Sequence, residues 1–391
     1  MSVLIICEKP SVAKTVALAL GAAEQKDGYL SGDGLLVSWC IGHLISMADA
    51  GSYDERYKKW RYEDLPILPQ AWKYAPTPGK EKQLAVLKEL LHRSDVSEVV
   101  NGCDAGREGE LIFRFVYEQA GCTKPFSRLW ISSMEDIAIR EGFAGRRAGT
   151  EYDALYQSAL CRARADWLVG INATRLFSVL YHKTLNVGRV LSPTLNLLVE
   201  RDGKITMFHK EKYHIVHIGC GGVDAESERI SDASAADALK TACEASQAVC
   251  VSLKKEKKTA LPPKLFDLTL LQREANRVYG FTAKQTLDYA QSLYEKRFLT
   301  YPRTDSNYLT EDMAQTATDL VAALLPVLPF MQGAELTPEI GRVINSAKVS
   351  DHHAIIPTAA FAGSGFDGLP ESEKKLMSLV CCKLLCAVAA P

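Results

Sequence analysis

The alternation of apolar and polar stretches at the start of the chain predicts a strand followed by a helix. Residues 2–7 are almost entirely apolar, which is typical of a buried strand. After Glu8 and Lys9, Ser11 opens a helical pattern that ends near Gly21, with Ser11 as the expected N-cap. A strand, a short loop and a helix begin a parallel α/β sheet, in which functional groups collect beyond the carboxyl ends of the strands. We therefore expect Glu8 and Lys9 at that edge.

A second strand of this kind, 97–103, is followed by acidic residues and a helix over 111–120. Asp104, Glu108 and Glu110 lie within seven positions of each other, directly after the strand. Carboxylate oxygens are hard ligands that suit Mg²⁺. A solvated acidic loop at the N-terminus of a helix would look the same, because carboxylates are favoured there in any case. Both interpretations remain open at this point.

The next apolar periodicity predicts a long amphipathic helix over 153–179. Its Arg162 and Asp166 are spaced i, i+4 and could pair on one face. A solvated, salt-bridged helix and a phosphate-contacting helix are both compatible with this pattern. Ser192 or Thr194 is expected to cap the helix that follows.

Between about residues 210 and 256 the pattern changes. Two apolar stretches, 213–220 and 248–253, predict strands that flank a helix over 234–245. The charged and proline-containing connection 254–263 is a candidate domain boundary.

Two further helical patterns, 266–278 and 283–294, lead into Tyr301. Pro302 fixes its own φ angle and biases Tyr301 toward an extended backbone. A phenol is a weak nucleophile at neutral pH, and Arg303 could bind a phosphate and offset its charge. This arrangement suits covalent attack on a phosphodiester, although a surface tyrosine beside an ordinary arginine would also explain it.

Composition narrows the class of protein. The chain has 391 residues, which predicts two to four domains. The chain contains no run of about 18 apolar residues, so no transmembrane helix is predicted. Its first residues have the pattern of a strand rather than that of a signal peptide. The net charge of −1 gives no global attraction to nucleic acid.

The motifs argue against two kinds of protein, zinc modules and nucleotide hydrolases. The 11 cysteines include no Cys-x-x-Cys pair, so we expect reduced thiols and no zinc module. Gly79-Lys80 lacks the upstream glycine of a phosphate-binding loop, so nucleotide hydrolysis has no support.

Seven motifs along nearly the whole chain, taken in order, resemble those of type IA DNA topoisomerases, and of the topoisomerase III branch in particular. The motifs are Ile5–Ala13, Asp104–Ile112, Arg162–Asn172, Gly188–Thr194, Pro263–Leu268, Thr300–Ser306 and Asp351–Thr358.

The resemblance implies a multidomain fold. We expect an α/β Toprim domain over 1–150, the first part of a helical DNA-guiding domain over 151–208, the first part of a strand-rich arch over 209–264, and a helical tyrosine domain over 265–391. Roughly the last third of a family member would be absent. The expected molecule is therefore a topoisomerase core that is incomplete at its C-terminus.

The resemblance also implies a Mg²⁺ site. Glu8, Asp104 and Glu108 correspond to the acidic triad of the family. The middle position of the family's acidic loop is Gly106 instead of aspartate, so metal affinity or stoichiometry is expected to differ.

For the chemistry, the resemblance implies that Tyr301 is the nucleophile and joins the 5′ phosphate of a cleaved strand. Lys9 and Arg303 would contact the scissile phosphate. Glu8 would assist proton transfer to the leaving 3′ oxygen, and His352 corresponds to a histidine near the tyrosine.

The implied partner is DNA, single-stranded or negatively supercoiled, with no nucleotide cofactor and no membrane, in the bacterial cytoplasm on nucleoid or plasmid DNA. Leu191 replaces a glutamine of the family motif. The residues expected to contact DNA are Arg162, Arg164, Asp166, Arg189, Ser192 and Thr194.

The function expected from the resemblance is ATP-independent cleavage, passage and rejoining of DNA strands, which relaxes negative supercoils or unlinks DNA. A truncated single-stranded DNA-binding remnant without strand passage is the main alternative. Another Toprim enzyme, such as a primase or a metal nuclease, is a third possibility, against which Tyr301 and Arg303 count.

Overall fold

The computed structural model describes residues 1–131, 134, 136–331, 333, 336–349 and 352–390. Two compact units are present, one formed by Met1–Asn186 with Ala260–Pro391 and one formed by Val187–Thr259. The finer division into four domains remains a prediction.

The first unit is built on a seven-stranded sheet with the strand order β2-β3-β4-β1-β7-β8-β9. β1 runs parallel to β4 and β7, and β7 runs parallel to β8, while the outer pairs are antiparallel. The carboxyl ends of β1 and β7 therefore meet at one edge. The strands of this unit are β1 (Ser2–Cys7), β2 (Glu24–Lys26), β3 (Tyr29–Gly32), β4 (Leu35–Trp39), β5 (Ile45–Met47), β6 (Tyr74–Pro76), β7 (Val96–Gly102), β8 (Phe126–Arg128) and β9 (Arg147–Ala148).

Helices cover both faces of the sheet and continue through the rest of the chain. In chain order they are α1 (Pro10–Ala19), α2 (Glu81–His92), α3 (Arg107–Gln119), α4 (Asp136–Ala144), α5 (Asp153–Leu180), α6 (Leu191–Thr206), α7 (Ala233–Glu244), α8 (Leu268–Tyr279), α9 (Ala283–Glu295), α10 (Ala314–Leu324), α11 (Ala359–Ser364) and α12 (Glu371–Val388).

The alternation of side chains along β1 explains why helices cover both faces of the sheet. Leu4 and Ile6 are buried on the face covered by α2 and α3, and the start of α5 packs on the same core. Ile5 and Cys7 are buried on the opposite face, against α1 and α4. Because successive side chains of a strand point to opposite faces, a wholly apolar strand needs two covering layers. The sheet is thus the middle layer of an α/β sandwich.

The helices α8 to α12 enclose a third core in the same unit, separate from the two that lie on the faces of the sheet. Local sequence sets the two helices that lead toward Tyr301: the Asp267 side chain caps α8, and Thr282 with Gln285 forms a capping box on α9. Gly280 ends α8 in the left-handed region, with φ at 71°. Tyr294 of α9 enters the core beneath α1 and α4.

The second unit contains α6, a hairpin and α7. The hairpin pairs β10 (His217–Cys220) antiparallel with β11 (Val223–Glu226). The side chain of Asp232 caps α7.

Two strand predictions for the second unit need correction. The stretch predicted from residue 213 forms a strand only from His217. The stretch 248–253 forms no strand, and its Val249, Val251 and Leu253 are exposed. A strand requires a hydrogen-bonded partner, and no described segment pairs with this one.

The predicted N-caps were also wrong. Lys9 occupies the N-cap of α1, because Pro10 suits the first helical position and starts the helix before Ser11. α6 begins after Val190, so Ser192 and Thr194 lie inside its first turn. Among the described helices, none is long and apolar enough to cross a bilayer.

Candidate active site

Two of the predicted acids meet where β1 and β7 end. Glu8 follows β1 and Asp104 lies two residues beyond the end of β7. Burial raises the pKa of Glu8, and the negative charge of Asp104 raises this pKa further. The charge of Lys9 and a backbone hydrogen bond from Asp104 oppose that shift. The edge of the sheet therefore holds two carboxyl groups that repel each other.

Glu108 lies in the first turn of α3, which begins at Arg107, four residues before the helix start predicted from the sequence. Its carboxylate contacts His43 Nε2 at 3.3 Å and forms an ion pair with the guanidinium of Arg162 on α5. The backbone at Gly106 is extended, with φ at 160°, a conformation open to any residue.

The third acid of the sequence cluster, Glu110, belongs to the core. It is fully buried, and its two carboxylate oxygens lie 2.7 Å from Arg128 Nε and 3.3 Å from Arg114 Nε. The helical spacing explains this position, since two residues along α3 turn the side chain away from the face that presents Glu108.

Sequence reasoning missed Arg128. Its buried guanidinium donates to the carbonyl oxygens of Cys103 at 2.6 Å and Asp104 at 2.7 Å. It thereby fixes the backbone that carries Asp104, while Glu110 balances its charge. A single arginine in a short strand gives no sequence signal for this role.

Tyr301 lies opposite the acids. A bridge between Leu299 and Pro357 and the hydrogen bond from Thr300 N to Ile356 O at 3.0 Å hold the backbone that precedes it. Tyr301 Oη donates to Asp104 Oδ2 at 3.0 Å. Burial and the carboxylate of Asp104 raise the pKa of Tyr301, and the nearby charge of Arg303 lowers it. Arg303 itself is exposed.

Aromatic contacts fix the tyrosine ring. The ring centroid of His352 lies 4.2 Å from that of Tyr301, and Tyr294 packs edge-on at 5.3 Å. Burial lowers the pKa of His352 to about 4, and the charge of His353 adds to this effect. The sequence motif that contains both histidines begins at Asp351, which lies outside the described residues.

The residues predicted to contact DNA fall into two groups. Arg162 faces Glu108, whereas Arg164 donates to Tyr74 Oη at 3.3 Å and stacks over Trp72 at 5.3 Å. Asp166 lies on the same helix, α5. The other group, Arg189, Ser192 and Thr194, lies in the second unit.

In that unit, Arg189 precedes α6. Ser192 Oγ accepts the backbone N–H of Gly188 at 3.2 Å, and Thr194 Oγ1 donates to Val190 O at 2.7 Å. These hydroxyls therefore satisfy local backbone groups.

The donor set fits Mg²⁺ chemically. Glu8, Asp104 and Glu108 supply carboxylate oxygens, and a cation would relieve the repulsion that raises the pKa of Glu8. In the part of the chain that the structure describes, no three acidic, histidine or cysteine side chains form a ready metal cluster. Glu108 is bound to Arg162 and His43 instead, so its part in a metal site stays a prediction.

An α/β sheet whose acidic edge contacts a half-buried tyrosine beside a helical core defines the class of protein. Family profiles match residues 3–134 as a Toprim domain and residues 150–391 as DNA topoisomerase. The second match covers more than half of the chain, and the chain belongs to the DNA topoisomerase family.

Individual relatives agree with that family. The chain is 40% identical to DNA topoisomerase 3 of Bacillus licheniformis and to that of Bacillus subtilis, over 99% of its own length and 55% of theirs. It also resembles the structure of full-length topoisomerase I from Thermotoga maritima, with a TM-score of 0.69, 25% identity, and coverage of 99% of this chain and 61% of that one. The chain thus spans about half the length of the curated relatives it matches.

Proposed function

We propose that this chain carries the cleavage and rejoining site of an ATP-independent type IA topoisomerase that acts on one strand of bacterial chromosomal or plasmid DNA. The observation that carries the proposal is the hydrogen bond of 3.0 Å from Tyr301 Oη to Asp104 Oδ2, beside Glu8. A nucleophile paired with a base, next to a separate acid, is the arrangement that transesterification needs.

In the proposed reaction Tyr301 Oη attacks the phosphorus of the strand as its proton passes to Asp104. The bond from phosphorus to the 3′ oxygen breaks, and that oxygen takes a proton from Glu8. The raised pKa of Glu8 keeps this proton available nearer to neutral pH than an ordinary glutamate would. The products are a 5′-phosphotyrosyl link and a free 3′ hydroxyl. The reverse reaction reseals the strand without an external energy source.

The remaining residues would serve charge and position. Lys9 and Arg303 would offset the charge of the phosphate, which is the main demand of phosphoryl transfer. Glu8, Asp104 and Glu108 are the proposed ligands of Mg²⁺, which supplies positive charge against the phosphate when bound. Glu8 would serve the metal in its ionised form and the leaving oxygen in its protonated form.

The test is to trap the covalent adduct by denaturant on a single-stranded oligonucleotide labelled in turn at each end, with and without Mg²⁺. We expect label on the 3′ portion to migrate with the protein. Tyr301→Phe should abolish the adduct and leave strand binding within a few-fold, because only the nucleophilic oxygen is removed. Tyr279→Phe, on α8, is the matched control and should form the adduct normally.

Other outcomes select other functions. Cleavage that is unchanged in Tyr301→Phe and leaves no adduct would identify a metal nuclease. Binding without an adduct in the unmodified chain would favour a DNA-binding remnant. The glycine at position 106, where the family has an acidic residue, is the reason to test for this alternative. Relaxation or unlinking of duplex DNA is proposed for the whole protein and needs a plasmid assay.

A further inference from the structure

A surface outside the candidate active site combines aromatic rings with cations. It belongs to the segment between β5 and β6, which is fastened along α5. Arg175 donates to Tyr57 O at 2.7 Å, and Trp167 Nε1 donates to Ala48 O at 3.0 Å. The side chain of Asn172 exchanges hydrogen bonds with the backbone of Ile67 at 2.6 and 3.0 Å. These bonds give an irregular segment a fixed position.

The exposed part of this segment is Lys59-Trp60-Arg61-Tyr62, here named the Trp60 tip. Trp60 is 44% exposed and Tyr62 is 61% exposed. Within the described residues, neither Lys59 nor Arg61 forms an ion pair. The neighbouring Arg56 and Lys58, by contrast, pair with Asp54 at 3.3 Å and with Glu55 at 2.6 Å. Unpaired positive charge is therefore concentrated on both sides of Trp60.

Arg175 adds a cation beneath the tip. Its guanidinium carbon lies 5.4 Å from the centre of the Trp60 ring, yet the residue is only 4% exposed. Its Nε is buried without a hydrogen-bond partner, and no ion pair of Arg175 occurs among the described residues. The carboxylates of Asp49 and Asp64 act on it only from a distance. The guanidinium of Arg175 therefore supports the Trp60 ring through a cation–π contact, while part of that ring stays exposed.

Helix α5 relates the tip to the acids. Arg162, which contacts Glu108, and Arg175, which supports Trp60, lie thirteen residues apart on this helix. At a rise of 1.5 Å per residue the two positions are about 20 Å apart along the helix. A strand stacked at about 3.4 Å per nucleotide would cover that distance in about six nucleotides.

We propose that the Trp60 tip is a second contact site for single-stranded DNA, at which a base stacks on Trp60 or Tyr62 while Lys59 and Arg61 bind the flanking phosphates. The inference rests on the proposed function, since the strand would be the one that enters the cleavage site. Aromatic platforms beside cations are the means by which proteins bind single strands without sequence preference. The tip would hold the strand beyond the cleavage site, so that its contribution appears only with longer strands.

The test is binding of labelled oligothymidylate to the full chain without Mg²⁺, measured by fluorescence anisotropy at several salt concentrations. Trp60→Ala should weaken binding of a strand of about 20 nucleotides by roughly 5- to 150-fold, the effect of losing one stacked base. Trp60→Phe should restore most of it. Lys59→Ala with Arg61→Ala should reduce the slope of log K against log salt by about 1.4, for two single-strand phosphates. A strand of about five nucleotides is too short to span about 20 Å when stacked, so the yield of adduct on it should be the same for all variants.

Lys88→Ala with Lys375→Ala is the matched control, since it removes two exposed lysines, on α2 and α12, that form no ion pair among the described residues. Its salt slope should equal that of the unmodified chain, and circular dichroism should show that every variant is folded. Normal binding of the long strand by the tip variants would overturn the inference, as would an equal loss for duplex DNA of the same length. Adduct formation on the short strand, measured in parallel, reports on the proposed function separately. If that adduct is present while the tip variants bind normally, only this inference fails.

Discussion

Tyr301 lies in surroundings that oppose its ionisation. Burial and the carboxylate of Asp104 both raise its pKa, and only the charge of Arg303 acts in the other direction. A free phenolate is therefore disfavoured before the substrate binds. The proposed chemistry instead requires removal of the proton during attack, for which Asp104 is already placed at 3.0 Å.

The imidazole of His352 should make stability depend on pH. Its pKa falls from 6.5 to about 4 in the folded chain because burial disfavours the charged form. Between pH 6.5 and about pH 4 the unfolded chain therefore binds a proton at His352 that the folded chain does not bind. Folding stability is lost as the pH falls through this range. His352→Gln should remove about 3 kcal/mol of that pH dependence, at 1.36 kcal/mol per unit of pKa.

Denaturant unfolding at several pH values would measure this effect. The exposed His209 provides the control, because His209→Gln should leave the pH dependence as it is in the unmodified chain. Parallel curves for His352→Gln and the unmodified chain would contradict the prediction. Burial also lowers the pKa of His353, so some dependence should persist in the variant.

The sequence carried unequal information about individual residues. Glu8 and Asp104 could be placed at one sheet edge, because strand ends are visible in the apolar pattern. The resemblance, not the pattern, singled out His352 from His353. Long-range packing buries Glu110 and brings Arg128 to the backbone of Asp104, so no local sequence pattern predicts either feature. The roles assigned to the site residues remain predictions.

Among the elements, the start of α3 lies unusually close to the loop before it. A Cβ atom at Gly109 would lie 2.1 Å from the carbonyl oxygen of Asp104. Only glycine permits this approach, which allows Arg128 to hold the same carbonyl oxygen. The position of Asp104 therefore depends on a residue without a side chain.

Gly109→Ala should displace the loop of Asp104 and reduce adduct formation at least tenfold, with a loss of stability of about 1–3 kcal/mol from overpacking. Gly203→Ala is the matched control, because nothing lies within 4 Å of a Cβ there on helix α6. That change should stabilise the helix by up to about 1 kcal/mol. Single-turnover adduct formation and denaturant melts distinguish the two variants, and equal behaviour would refute the argument.

Elements with a clear apolar pattern were predictable, including the short strands over 2–7 and 97–103, which are confirmed as β1 and β7. The helix predicted over 153–179 is confirmed as α5, and those over 234–245 and 283–294 as α7 and α9, since many positions agree on one period. The stretch 248–253 has the composition of a strand, but pairing with another strand decides whether a strand forms.

In the first unit as a whole, the proposed chemistry joins two regions distant in sequence. Tyr301 and Asp104 are 197 positions apart, one beside the helical core and one at the end of β7. Tyr294 strengthens this junction, since it extends from α9 into the core beneath α1 and is only 6% exposed.

Tyr294→Ala should therefore lower the free energy of unfolding by about 3–5 kcal/mol, as expected for loss of a buried aromatic ring. It should also slow adduct formation, because Tyr301 loses its edge-on neighbour. Tyr294→Phe retains the ring and should cost less than about 1.5 kcal/mol. Thermal melts and single-turnover cleavage provide the readouts, and a Tyr294→Ala protein that cleaves normally would show that the ring does not position Tyr301.

The hydrogen bond from Tyr301 to Asp104 has a consequence for the proposed cycle. Once Oη is esterified to DNA it carries no hydrogen, so the bond cannot exist in the cleaved state. In the proposed step that proton has passed to Asp104, so the attraction between the hydroxyl and the carboxylate across the junction is lost. The hydrogen bond of the hydroxyl would thus join the two regions only before cleavage. They could separate only while the strand is covalently bound to Tyr301. Resealing the strand would return the proton to Oη, and the hydrogen bond to Asp104 would form again.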